Sequence, residues 1–249
     1  MIIAALAMLT MAGSAMAQGH PGYYGPNYTP HYAPMGTHEE GTVNYMAIFG
    51  MDVTNFRNLA SGYDMDPKVG FTMGVRAEYT LPACRGLFAN VGLEYTMKGA
   101  RDRVKSLSTA DDILGVGATM ICRPMYLQVP IHVGYYYEAM ENVGVYGDFG
   151  PYFALGIHGK TRYKMDDYSA DKTHRFFCDN NGFLDVKRVD FGLGYRVGVE
   201  YADHYNLVLG MDWGITDMLT RSQKHTLYNA GYDFTMKNFC ASLTFGYRF

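Results

Sequence analysis

The sequence predicts an all-β fold: an eight-stranded antiparallel up-and-down transmembrane β-barrel, preceded by a signal peptide and a short disordered linker. Three observations predict it. Apolar residues recur at every second position through eight segments. The connections between those segments alternate between tight turns and long polar stretches. The face opposite the apolar one is crowded with glycine and with charges of both signs.

Composition fits this class. Of 249 residues, 18% are charged and 15% aromatic, with 29 Gly and 22 Tyr, a load that favours strands and turns over helices. The formal net charge is -3, so the chain lacks the basic surface that phosphate neutralisation requires and nucleic acid is not an expected partner.

Residues 1–17 read as a signal peptide. The apolar run Ile2 to Ala12 is too short to span a bilayer, and Ala15-Met16-Ala17 before Gln18 is a small-x-small cleavage pattern, although no Lys or Arg precedes the run. Residues 18–41, rich in Pro, Gly, Tyr and His without periodicity, read as a disordered periplasmic linker. Its histidines, His20, His31 and His38, are irregularly spaced with no cysteine beside them, so no metal is expected there.

Residues 42–249 are the expected outer-membrane barrel. The segments are 42–53, 70–81, 86–98, 122–137, 143–158, 187–201, 205–216 and 238–249. In 189–201, for example, Val189, Phe191, Leu193, Tyr195, Val197, Val199 and Tyr201 oppose Asp190, Gly192, Gly194, Arg196, Gly198 and Glu200. Tight turns at 82–85, 138–142 and 202–204 mark one end, the periplasmic one for an exported chain. Long loops, Val53 to Val69, Gly99 to Ile121, Gly159 to Val186 and Asp217 to Lys237, mark the other. Segments of about 10 to 13 residues suit tilted strands crossing a bilayer core.

A soluble lipocalin-like barrel also alternates, but it wets its polar face, where Lys, Glu and Ser crowd and Gly is rare. Here that face carries Gly74, Gly92, Gly134, Gly144, Gly150, Gly156, Gly192, Gly194, Gly198, Gly210, Gly214 and Gly246. A narrow lumen explains them. On the same face lie Arg76, Glu78, Glu94, Lys98, Gln128, His132, Asp148, Arg188, Asp190, Arg196, Glu200, Asp212 and Arg248, an expected interior polar network. On the apolar face, Tyr79, Tyr135, Tyr137, Tyr201, Tyr247 and Phe249 gather at the periplasmic edge, and Trp213 and Phe239 at the other, as interfacial aromatic girdles do.

The closing "LTFGYRF" resembles the assembly signature of bacterial outer-membrane barrels. "VGLEYTMKGAR" (91–101), "YLQVPIHVGYYY" (126–137) and "VDFGLGYRVGVEY" (189–201) resemble the PorT-like outer-membrane β-barrel family of Gram-negative bacteria. The resemblance covers nearly all of the chain after Gly41. It implies recognition of Phe245, Tyr247 and Phe249 by the barrel-assembly machinery, and, as an alternative role, a part in protein secretion or transport across the outer membrane. Gln128 and His132 depart from the family's acidic and apolar residues around its Val/Ile-Pro. Pro130 within a strand removes a ladder donor, which predicts a bulge there.

Cys122 and Cys240 fall near the outer rim, Cys178 in the longest outer loop and Cys84 in a periplasmic turn. A Cys122–Cys178 bridge fits that placement in an oxidising compartment, among three possible pairings of four cysteines. None forms Cys-x-x-Cys, so neither zinc nor any other cofactor is expected. Rim candidates for catalysis, His158, Asp166, Asp167, Asp171, His174, Ser222 and His225, show no spacing that joins a nucleophile to a base, and Asp203-His204 sits in a periplasmic turn. His132 reads as a hydrogen-bonded filler of the interior. The expected function is a non-catalytic scaffold, contacting outer-membrane lipid with its apolar face and a protein or glycan with its outer loops. A narrow pore, or less readily a barrel hydrolase, is the alternative.

Overall fold

A computed structural model of the chain describes residues 41–57, 65–82, 86–104, 118–140, 142–165, 168–177, 186–229 and 235–249. The signal peptide, the linker up to residue 40 with its three histidines, Cys84, Asp166, Asp167 and Cys178 lie outside the described residues. Among the described residues ten strands are formed: β1 (Val43–Arg57), β2 (Asp66–Thr80), β3 (Leu87–Met97), β4 (Ala100–Val104), β5 (Ala118–Met140), β6 (Val143–Met165), β7 (Tyr168–Arg175), β8 (Val189–Tyr201), β9 (Tyr205–Gly214) and β10 (Lys237–Arg248). One helix, α1 (Arg221–Asn229), lies between β9 and β10.

Eight of the strands close a ring. β1 pairs with β2, β2 with β3, β3 with β5, β5 with β6, β6 with β8, β8 with β9, β9 with β10, and β10 again with β1, every pairing antiparallel. The closing seam runs from Met46 opposite Arg248 to Arg57 opposite Lys237, and the Phe249 amide adds a bond to the Tyr45 carbonyl at 3.0 Å. No sheet edge remains within the ring, the condition a bilayer imposes on strands.

Alternation sets the two faces. On β1, β2, β3, β8 and β10 the even-numbered positions turn inward, and the odd ones expose Phe49, Met51, Val75, Leu93, Val199, Leu243 and Phe245 around the outside. An apolar belt of this extent is stable only against lipid.

Many lumen glycines are sockets for rings. A Cβ on Gly134 would strike the Phe88 ring, on Gly144 the Tyr136 ring, on Gly198 the Tyr146 ring, on Gly192 the Tyr152 ring and on Gly156 the Phe177 ring. Strand glycine that weakens local propensity is here matched to an aromatic side chain from a neighbouring strand or loop.

Two expectations are corrected. No bulge forms at Pro130: Val91 opposite Ile131 and Glu94 opposite Gln128 share one register, so the ladder is interrupted beside the ring without slipping. Gly92 makes this possible, since a Cβ there would lie 3.0 Å from Pro130 Cγ. The β5–β6 register instead shifts between Met125 and Tyr126. The extra residue on β6 reverses its phase, turning Thr161 inward and His158 outward.

The long loops are also less irregular than the polar stretches suggested. β5 and β6 are 23 residues each, and β6 runs past the shift to Met165, roughly 25 Å of strand beyond the ring. β7 pairs with β6 alone, and β4 continues the line of β3 after Gly99, whose φ of 127° breaks the strand where a Cβ would meet the Cys122 carbonyl.

Segments of the outer side fold over the mouth. Lys187 N donates to Met218 O at 2.7 Å, Met218 N to Met236 O at 2.8 Å, and Val186 bridges Leu219. Asp217 holds this junction: Oδ1 accepts from Leu219 N at 3.2 Å and Met236 N at 3.1 Å, and Oδ2 meets Lys224 Nζ of α1 at 2.6 Å. Partial burial alone would raise its pKa, but the Lys224 contact and the two amides outweigh it and hold the carboxyl below its usual 3.8. The depressed value means Asp217 stabilises the junction above its ordinary pKa and loses that contribution as pH falls through the folded value. Amide exchange at Leu219 and Met236, corrected for intrinsic rates, should therefore accelerate below about pH 4 while mid-strand amides stay protected. Asp217→Asn should show the fast exchange already at pH 7. Equal protection in both proteins across that range would overturn the assignment.

Candidate functional site

The lumen is filled in layers, each positioned by inward residues of facing strands. At the end with the tight turns Phe88, Tyr136, Tyr146 and Val208 form an apolar cluster, with Phe88 and Tyr146 edge to face at 6.0 Å. Beside it Arg248 Nη2 pairs with Glu200 Oε2 at 2.8 Å and Glu78 Oε1 at 3.2 Å. A cavity of about 10 Å³ lined in part by Arg76, Glu78, Asp148 and Arg248 has room for a single water.

The middle layer centres on Glu94 and Arg196. Arg76 donates to Glu94 Oε1 through Nε at 2.9 Å and Nη2 at 2.8 Å, and Arg196 Nη2 lies 3.4 Å from Glu94 Oε2 and 3.9 Å from Asp212 Oδ1. His132 Nδ1 is 2.5 Å from Asp148 Oδ1, while Arg196 Nη1 is 2.7 Å from Nδ1 and 3.0 Å from Nε2. Nδ1 cannot both donate to Asp148 and accept from Arg196. The tautomer with hydrogen on Nδ1 satisfies Asp148 and leaves Nε2 to accept from the guanidinium. Gln128 Nε2 donates to Asp212 Oδ2 at 2.7 Å and Asn90 Nδ2 to Asp148 Oδ2 at 3.1 Å.

Toward the outer side, Lys98 Nζ lies 3.3 Å from Asp190 Oδ2 and 4.3 Å from the centre of the Tyr152 ring. Asn238 Nδ2 and Tyr152 Oη donate to the same Asp190 oxygen at 2.8 and 3.2 Å. Thr72 and Thr96 donate to Asp52 Oδ2 at 2.6 and 3.2 Å.

Above these groups sits an apolar cap that includes Phe56, Met65, Tyr126, Tyr152, Phe176, Phe177, Met218, Leu219 and Met236. Phe176 stacks on Phe56 at 6.1 Å, and Phe177 meets Tyr126 edge to face at 5.5 Å.

Of the thirteen network residues expected from the sequence, twelve fall into three groups: Arg76, Glu94, Gln128, His132, Asp148, Arg196 and Asp212; Glu78, Glu200 and Arg248; Lys98 and Asp190. All are buried except Asp212, which is half-buried. Arg188 is not among them. It is exposed at the rim, where Nη1 donates to the Gly156 and Ile157 carbonyls at 3.2 Å each and the guanidinium lies over Phe177 at 5.4 Å. The sequence reading missed Asp52, Thr72, Thr96, Asn90 and Asn238, whose inward parity was the available signal. It also missed the cap, whose members come largely from stretches with no alternation.

Phe245, Tyr247 and Phe249 face outward, and Phe249 is 73% exposed. Tyr247 contacts Tyr205 at 5.6 Å and Phe249 at 5.4 Å. The bridge expected between Cys122 and Cys178 is not formed: Cys122 is a free, buried thiol turned inward, with Thr161 Oγ1 3.9 Å from its sulfur. Of the candidate catalytic groups, His158 Nε2 is engaged with Tyr95 Oη at 3.0 Å and His225 Nδ1 with Asn229 Nδ2 at 3.2 Å. His174 and Ser222 are exposed. Among the described residues no three His, Cys, Asp or Glu side chains gather in a way that could hold a metal.

Residues 16–220 match the family model of the outer membrane protein beta-barrel domain. Among solved structures, a major outer membrane protein from Thermus thermophilus is 15% identical with a TM-score of 0.43, covering 84% of this chain and 100% of that one. The outer membrane protein OprG from Pseudomonas aeruginosa is 12% identical at 0.40, covering 84% and 97%. Ail, the attachment invasion locus protein of Yersinia pestis, is 15% identical at 0.37, covering 84% and 99%. No curated protein matches the chain.

Proposed function

We propose that this chain, which belongs to the outer membrane protein beta-barrel domain family, is an occluded barrel of the outer membrane that works as a non-catalytic display scaffold. The observation that carries this reading is the filled lumen: two apolar clusters with buried ion pairs between them. An eight-stranded interior is barely wide enough for side chains, and here side chains occupy it from end to end. What the fold presents instead is the β5–β6–β7 ribbon, extended beyond the ring and anchored through Phe176 and Phe177 in the cap. Rigid ribbons on a closed barrel suit contact with an envelope or extracellular protein or glycan. The outward Phe245, Tyr247 and Phe249 stripe is the surface we assign to the barrel-assembly machinery.

Purified full-length protein in planar bilayers tests this reading. No stepwise conductance above the bare-bilayer level is expected. Regular open-channel steps would favour a narrow transport pore instead and overturn the occluded-scaffold reading.

A further inference from the structure

The geometry points to a binding site for phosphorylated glycolipid headgroups of the outer leaflet on the outward face of β5, β6 and β7. Three cations stand side by side there. Arg123 on β5 is directly opposite Lys160 on β6, which is directly opposite Arg175 on β7, and all three are exposed. Their direction is fixed by their neighbours, because Cys122 and Thr161 are buried on the other face of the ribbon. Two residues further out, Arg101 on β4, Ile121 on β5 and Arg162 on β6 share the next row. Arg101 Nε is buried without a hydrogen-bond partner. Asp66 on β2 stands opposite Arg101 at the end of this row.

Like charges directly opposite one another weaken a sheet, and an anion shared between them offsets the repulsion. Position says which anion. Just below the row the same face exposes Leu127 on β5 and Leu155 and Ile157 on β6, the upper edge of the lipid belt. Lys160 is three residues beyond Ile157, roughly 10 Å along the strand, at the level where headgroup phosphates of the outer leaflet lie. The opposite rim is built differently. There the lipid face ends in exposed Tyr79, Tyr135, Tyr137, Tyr201, Tyr205 and Tyr247, a ring of phenols.

Among the described residues this cationic row stands on the outer side, and it complements a lipid whose headgroup carries more than one phosphate. Arg123 and Arg175 supply planar forks for bidentate contacts, and Lys160 a point charge between them. The phase reversal at the β5–β6 shift is what presents this row, since it turns residues 158 and 160 of β6 outward together.

The test uses the full chain reconstituted in phosphatidylcholine nanodiscs containing bisphosphorylated lipid A or its dephosphorylated counterpart, with co-purifying lipid counted by native mass spectrometry. Bisphosphorylated lipid A should be retained at least tenfold more than the dephosphorylated form. Arg123→Gln/Lys160→Gln/Arg175→Gln should remove that preference, while a control altered at Lys187, exposed just before β8, and Lys237, half-exposed on β10, should keep it. Heat-modifiable gel mobility reports folding. If the triple variant fails to fold, Lys160→Glu alone is read in its place, with a loss of at least threefold expected. Equal retention of the two lipids, or a folded variant with undiminished preference, overturns the proposal. So does complete displacement by inorganic phosphate or by a soluble sulfated polysaccharide, which would make this a site for free polyanions.

Discussion

Arg196→Met should destabilise the barrel by about 3–5 kcal/mol, the cost typical of removing one partner from a buried ion pair. Arg196 lies between Glu94 and Asp212 and donates to His132, and both Arg196 and Glu94 are almost completely buried. Methionine fills similar length but neutralises nothing, so Glu94 is left to Arg76 and Asp212 loses its neighbouring guanidinium. Lipid-facing packing is untouched, so the loss reflects the interior alone. Asp212→Asn in the same chain should recover part of it, because the amide removes the carboxylate charge that Arg196 faced while Glu94 keeps its contacts from Arg76. Urea titration of refolded protein in detergent micelles measures both. A stability for Arg196→Met within about 1 kcal/mol of the parent would show that the layer is hydrated and the ion pairs contribute little.

The second large effect is expected from Phe176→Ala/Phe177→Ala. Both rings are about 95% buried in the cap, Phe176 against Phe56 and Phe177 against Tyr126 over Gly156. Truncating a buried phenylalanine costs about 3–5 kcal/mol where the site cannot collapse. Here the loss should appear locally. The cap is built on chain crossings above the ring, so the variant should release that junction to proteolysis and amide exchange while the ring remains folded. The ion-paired layers below the cap are intact in this variant, so it should still conduct nothing. Channel steps in it would mean that the cap alone seals the lumen. Unchanged protease resistance would remove the cap from the account of stability.

How much of this was legible depends on what surrounds each strand. Where one face meets lipid and the other the lumen, the period of two is strict, and the ring strands and inward charges follow from it. β7, "YSADKTHR", has lipid on neither face and no apolar alternation to read. β4 keeps the register and parity of β3 on β5, but it is five residues long and set off by Gly99, and its sequence ARDRV has no apolar alternation to read. The helix α1 did have a signal. Thr220 and Gln223 form the spacing of a capping box, and Thr220 Oγ1 accepts from Gln223 N at 3.3 Å, but the segment is polar enough to pass for loop.

Pro130 shows a different limit. The sequence says that a donor is missing but not which neighbour would have received it. The structure meets the loss by interrupting one ladder beside Gly92, with no change of register. Cys122 likewise could be placed at the rim from parity, and its inward direction continues the even phase of β5, but parity does not say that its thiol is free.

The glycine sockets have one more consequence, for how the barrel finds its alignment. Sliding one ribbon past its neighbour by two positions keeps every greasy residue outside and every polar one inside, so alternation cannot penalise it. Such a slide would carry the Phe88 ring off Gly134 and the Tyr146 ring off Gly198, onto positions that bear side chains. The glycines thereby act as teeth in a ratchet, admitting one stagger between strands and rejecting neighbouring staggers that hydrophobicity alone would allow.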